Sequence, residues 1–150
     1  MDVEVRRVGT GAALADAHEI RERVFVEEQD VDPEIEYDDG DDDAVHLVAY
    51  ADGEPVGTAR LRTPEPGVGK VERVAVLAPH RGRGLGRRLV QALEDVAREE
   101  GLEEVHLHAQ TTVEGFYADL GYETVSDVFM EADIPHVEMR KALVRDSWTC

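Results

Sequence analysis

The sequence predicts an α/β fold with a mixed central sheet, antiparallel at its start, and helices on both faces. Three observations carry that expectation. Segments of period two and of helical period follow one another in the order β-α-loop-β-β-β-α-β-α-β-β. A hairpin sequence, AVHLVAYADGEPVGTARLR at residues 44–62, lies in the first half. A glycine-alternating stretch, PHRGRGLGRR at 79–88, joins a β-branched strand to an amphipathic helix.

Val3 and Val5, with Val8, suggest an opening strand. Thr10 can cap a helix running to about Gln29, because Leu14, Ala17, Val24 and Phe25 recur at helical spacing. DVDPEIEYDDGDDD, residues 30–43, holds nine acids together with Pro33 and Gly40 and reads as a loop. It fails as an EF-hand: with Gly40 as the sixth position, Ile35, Tyr37 and His46 stand where carboxylates are needed. In the hairpin, Val45, Leu47 and Ala49 alternate, Asp52-Gly53 turns, and Val56 to Leu61 returns. TPEPGVG (63–69) is a second turn and KVERVAV (70–76) a strand. Leu85, Leu89, Leu93 and Val96 form a helical stripe that Gly101 can stop. EVHLHAQ (104–110) reads as a strand, and VEGFYADL (113–120) as a short helix stopped by Gly121. YETVSDVF (122–129) and PHVEMRKAL (135–143) read as two last strands.

A chain of 150 residues fits one domain, 1–150, with a real core; its hydrophobic fraction of 42% is ordinary. The start carries no basic-then-apolar leader, and no apolar run approaches the roughly 18 residues of a membrane span. Cys150 is the single cysteine, so no internal disulfide is expected, and a cytoplasmic setting is the simplest. The net charge is −18, from 34 acids against 16 bases. That argues against nucleic acid, whose phosphates require a broad basic surface. The acidity fits either a substrate-facing acidic surface or adaptation of the whole protein to high salt, where screening removes self-repulsion. The spread of the acids, and the presence of only two lysines (Lys70 and Lys141), favour the second.

Against this background, residues 79–88 gather Arg81, Arg83, Arg87 and Arg88 around Gly82, Gly84 and Gly86, without an acid. Glycines between a strand and the first turn of a helix make an anion site. The first helical N–H groups lack intrahelical partners, the dipole is positive there, and glycine lets an anion approach the backbone. The nucleotide P-loop pattern fails for want of its lysine, and the dinucleotide pattern fails because Arg87 stands at its last glycine.

VERVAVLAPHRGRGLGRRLV resembles the signature strand, loop and helix of the GNAT acyl-CoA N-acyltransferases. Arg81, Gly84 and Gly86 match that family's [QR]-x-x-G-x-[GA] pattern. The likeness continues through AQTTVEGFYADLGYETVSDVFMEADIPHVEMRKAL, which is similar to the family's closing strand, helix and hairpin. FVEEQ, FY and IPHVEM also resemble the ElaA-like branch.

The resemblance implies a splayed fourth and fifth strand with acetyl-CoA as co-substrate. Its pantetheine would bond the backbone of Val74, Ala75 and Val76, and its pyrophosphate the amides of Arg81, Gly82, Arg83, Gly84, Leu85 and Gly86. Arg81, Arg83, Arg87 and Arg88 would reach the ribose phosphate. A backbone N–H near Val74 to Val76 would stabilise the oxyanion, and Tyr117 would protonate the departing thiolate. Packing beside Phe116 is the alternative role for Tyr117. The family's asparagine one turn earlier is missing, because Thr112, Val113, Glu114 and Gly115 stand there; Gln110 or a backbone group is left to make that contact. Glu72 and His136 are the candidate bases, with a pairing of Glu72 to Arg60 or Arg73, a strand-bridging His136 and a water relay as alternatives. His106 and His108 share a strand face, but without a third ligand no metal site is assigned. Glu27, Glu28, Gln29 and the acidic loop suit a cationic acceptor, a small-molecule or peptide amine. The expected assembly is a monomer or homodimer without membrane partners, and a non-catalytic acyl-CoA-binding module is the alternative to an enzyme.

Overall fold

In a computed structural model of the chain, residues 3–8, 12–31 and 44–143 are described. The proposed cap Thr10, nearly all of the acidic loop 30–43 and Cys150 lie outside them. The described elements are β1 (Val3–Val8), α1 (Ala12–Arg21), a π-helical segment (Glu22–Glu28), β2 (Val45–Ala51), β3 (Glu54–Glu65) and β4 (Val68–Val76). A 3₁₀ turn (Ala78–His80), α2 (Leu85–Glu99), β5 (Glu104–Gln110), a second 3₁₀ turn (Thr111–Val113) and α3 (Glu114–Asp119) follow. The chain closes with β6 (Glu123–Thr124), β7 (Phe129–Glu131) and β8 (Ile134–Ala142). They form two compact units, Met1–Arg62 with Val71–Leu93, and Thr63–Lys70 with Glu94–Cys150.

In the first unit the strand order is β1-β2-β3-β4. β1 and β2 are antiparallel with Val5 opposite Ala49, and β2 and β3 are antiparallel with Val48 opposite Thr58. Asp52 and Gly53 both have positive φ, +51° and +87°, as a tight Asp-Gly hairpin turn requires. One face of this sheet buries Val8, Val48, Tyr50 and Ala75 against Ala17, Ile20 and Val24, which come from α1 and the π-helical segment. The other face meets α2 closely at Gly57. A Cβ there would lie 3.0 Å from Leu89 Cδ1 and 3.2 Å from the carbonyl of Ala75, so only glycine lets helix and sheet approach this far.

In the second unit β8 is antiparallel to β5 on one side, with Leu107 opposite Met139, and to β6 and β7 on the other. Val105, Leu107, Ala109, Val137 and Met139 are buried, while the alternate positions of β5 remain half-exposed.

Three elements differ from the sequence reading. The single helix expected to Gln29 changes to π geometry after Arg21, ending where the Gln29 N–H bonds the Val24 carbonyl at 3.1 Å. Periodicity over a few residues does not separate the two helical forms. The expected turn 63–69 narrows, because β3 runs to Glu65 and Gly67 turns at φ +82°. The strand expected over 122–129 is broken into β6 and β7. Between them Val125 N–H bonds the Glu138 carbonyl, and the Glu138 N–H bonds Ser126 Oγ at 2.8 Å. A side-chain oxygen thus replaces a ladder carbonyl and releases residues 125–128 from regular pairing.

Candidate active site

β4 leads into the glycine-rich stretch, and it contains a left-handed residue, Arg73. That residue has φ +56°, a conformation that costs a non-glycine side chain energy and belongs to bulges rather than regular strands. Val74, Ala75 and Val76 follow Arg73. The chain then makes its 3₁₀ turn, extends at Arg81, and passes through Gly82 and Gly84, both at φ +79°. Two left-handed residues so close together explain the alternating glycines. Beyond the adjacent residues, no heavy atom lies within 4 Å of a Cβ built on either of them, so the space beside these glycines is open. The Gly84 carbonyl accepts from the Arg88 N–H at 3.1 Å, which makes Gly84 the cap of α2. The amides of Leu85, Gly86 and Arg87 are therefore the first of the helix, without intrahelical acceptors. Arg83 and Arg87 carry exposed positive charge beside them, and Arg88 reaches back toward the Val3 carbonyl at 3.5 Å. This cradle fits the pyrophosphate of an acyl-CoA.

Arg81 is built in differently. Its N–H bonds the Ala78 carbonyl at 3.2 Å, and its Nε bonds the Val76 carbonyl at 2.8 Å. Its two terminal nitrogens grip both oxygens of Glu28, at 2.7 and 2.9 Å. The Glu28 carboxyl is held below the usual carboxylate range by that guanidinium. Arg81 thus ties the π-helical segment to the end of β4 instead of extending toward an anion. The sequence showed Glu28 only as one acid among several.

Glu72 is also occupied. Its Oε1 accepts from Arg60 at 2.9 Å and from Arg62 Nε at 2.6 Å, and its Oε2 meets Arg62 at 3.4 Å. Arg60 is fully buried, so the carboxylate provides the charge that this buried guanidinium requires. The pairing to Arg60 is present, and Arg62 joins it.

Within the second unit, Tyr117 is buried at 8% exposure, and its hydroxyl makes no hydrogen bond to a described residue. Its ring meets Phe116 edge-on at 4.9 Å and Tyr122 at 5.8 Å. Burial raises its phenol above the ordinary 10, so it keeps its proton at neutral pH. Tyr122 is the structural partner: its hydroxyl donates to Glu94 Oε2 at 2.9 Å, and Lys141 Nζ bonds Glu94 Oε1 at 2.9 Å and the Leu120 carbonyl at 2.8 Å. That network anchors the end of the helix carrying Tyr117. His136 is buried, its Nδ1 2.7 Å from the Ile134 carbonyl and its Nε2 3.6 Å from Glu131 Oε2. Among the described residues no group of three ligating side chains has metal-site geometry, and no helix is long and apolar enough to cross a membrane.

A glycine-rich turn that follows a strand and opens a helix is an arrangement able to hold a phosphate-bearing ligand. Residues 12–143 match the family model described as an acetyltransferase (GNAT) domain. The uncharacterized N-acetyltransferase YjcF of Bacillus subtilis is 42% identical over 129 residues, covering 85% of this chain and 91% of its own. An acyl-CoA N-acyltransferase from Pseudomonas aeruginosa is 33% identical with a TM-score of 0.82, over 94% of this chain and 99% of that one. Escherichia coli ElaA is 26% identical with a TM-score of 0.83, over 93% and 99%. The chain belongs to the GNAT acetyltransferase family, and its activity is N-acyl transfer from an acyl-CoA to an amine.

Proposed function

We propose that this chain transfers the acetyl group of acetyl-CoA to a primary amine by direct attack, with the cofactor's pyrophosphate held by the backbone of Gly82 to Arg87. The observation that carries this reading is the pair of left-handed glycines, Gly82 and Gly84, opening onto the first turn of α2. Arg83, Arg87 and Arg88 supply the charge for the phosphates, and Arg81 holds the loop to Glu28. The backbone of Val74 to Val76, following Arg73, is the proposed binding edge for pantetheine and the source of the oxyanion donor.

In the reaction the amine nitrogen attacks the thioester carbon. The C–N bond forms, the C–S bond breaks, the thiolate leaves, and the nitrogen loses its surplus proton to water, which restores the proton given to the thiolate. Tyr117 is the proposed proton donor: its hydroxyl makes no hydrogen bond to a described residue, and burial keeps its phenol protonated at neutral pH. His136 is the proposed base. Glu72, engaged by Arg60 and Arg62, acts as their structural counter-charge.

Calorimetry with acetyl-CoA, followed by thiol release against a panel of primary amines, tests this reading. Acetyl-CoA should bind, and at least one amine should release thiol in amounts equal to the acetylated product. Failure of acetyl-CoA to bind removes the donor assignment; binding with no amine-dependent thiol release removes the acceptor class.

A further inference from the structure

Imidazoles and carboxylates alternate across the half-exposed face of the second unit's sheet. Opposed positions in an antiparallel ladder share a face, so β5 and β8 set His108 beside Glu138 and Gln110 beside His136. On the other side of β8, Phe129 of β7 lies opposite His136. Its ring stacks on His136 at 6.1 Å and meets His108 edge-on at 5.0 Å, which fixes both imidazoles.

The hydrogen bonds define which nitrogen of His136 is free. A carbonyl only accepts, so the contact to Ile134 places a hydrogen on Nδ1. Nε2 then carries the lone pair. It makes no hydrogen bond to a described residue, and it faces Glu131 Oε2 at 3.6 Å. The other oxygen of Glu131, Oε1, lies 2.9 Å from His108 Nδ1. One carboxylate therefore spans two imidazoles, bonded to one and waiting at ion-pair distance from the other. His108 holds the Glu131 carboxyl below the usual carboxylate range, with His136 and Lys70 adding smaller effects in the same direction. Glu138 lies 3.6 Å from His108 Nε2 and 3.7 Å from His106 Nδ1, and Glu104 lies 2.9 Å from His106 Nε2.

We infer that Glu131, locked by His108, is the positioning residue that stabilises His136 once Nε2 has taken the proton of the acceptor ammonium. The inference rests on the proposed role of His136 as base. The ammonium N–H bond breaks, an Nε2–H bond forms, and the freed amine attacks the thioester. The imidazolium so formed has its Nδ1–H on the Ile134 carbonyl, and its positive charge lies beside the Glu131 carboxylate, whose Oε2 is 3.6 Å from Nε2. The proton then passes to water as the product leaves. Glu131 is exposed, so its replacement should leave the fold intact.

The test is a histidine-ring NMR titration of wild type, Glu131→Gln and Glu138→Gln, paired with kcat/KM for thiol release across pH using the amine that turns over best. In Glu131→Gln the proton affinity of His136 should fall about tenfold, the lower end for removal of a facing opposite charge. The acid limb of the rate profile should move down in pH with it. Glu138→Gln, which touches His108 and not His136, should shift His136 less. An identical His136 titration in wild type and Glu131→Gln overturns the positioning role. A shifted titration with an unmoved acid limb overturns His136 as the base, while acetyl-CoA binding, measured separately, continues to report on the wider proposal.

Discussion

Replacing Gly84 by alanine separates the cost to the fold from the cost to the cofactor site. Gly84 has φ +79°, and a Cβ added there meets nothing within 4 Å. The penalty is therefore conformational and not steric, about 1–2 kcal/mol for an L-residue in the left-handed region. For a domain of this size that corresponds to a fall in Tm of roughly 2–8 °C, which leaves a folded protein to assay. The same methyl would project into the space proposed for the pyrophosphate. Losing even one charge-assisted amide–phosphate bond, about 1.5–3 kcal/mol, weakens acetyl-CoA binding about tenfold or more. Calorimetry on the folded variant measures the affinity, and a melting curve measures the strain. If Gly84→Ala melts in the stated range yet binds acetyl-CoA like wild type, the glycine cradle is not the phosphate site and the reasoning fails.

Four further outcomes are expected. Tyr117→Phe keeps the ring packing and should lower turnover about 10²- to 10⁴-fold with little change in acetyl-CoA affinity; turnover within a few-fold of wild type would return Tyr117 to a packing role. Glu72→Gln should leave the shape of the pH–rate profile unchanged while lowering Tm, because it withdraws the counter-charge of buried Arg60; loss of the acid limb would instead make Glu72 the base. Glu94→Ala leaves the Tyr122 hydroxyl and a Lys141 ammonium, at 23% side-chain exposure, without their shared acceptor, and should cost about 3 kcal/mol in a denaturant melt. With a net charge of −18, the protein should melt higher in molar KCl than in low salt, and a flat or falling Tm would remove the high-salt reading of its acidity.

Much of the architecture was legible because the signals that specify it are local. An Asp-Gly pair between alternating apolar runs requires a hairpin, and it forms one with both turn residues at positive φ. Alternating glycines between a β-branched strand and a leucine stripe marked a loop at a helix start, and that loop leads into α2; the left-handed φ of Gly82 and Gly84 is seen only in the structure. The conversion of the first helix to π geometry and the break between β6 and β7 were not legible. Each depends on one hydrogen bond, at Gln29 and at Ser126, whose choice of partner no periodicity records.

The sequence by itself determined most of the element order, the glycine-rich loop at the start of α2, and a tyrosine and a histidine of suitable chemistry. Only the tertiary structure decided what the charged residues do. Arg81 grips Glu28, 53 positions away, and Glu72 is taken by Arg60 and Arg62. Glu131, 23 residues from His108 in the chain, bridges it to the facing side of His136. A carboxylate's role depends on which cation faces it, at distances where a displacement of a few ångströms changes the interaction from a hydrogen bond to none. That placement comes from strand register and helix packing, which are fixed by contacts between segments remote in sequence. Residue type and spacing name the groups able to do chemistry, and long-range pairing selects which of them are left free to do it.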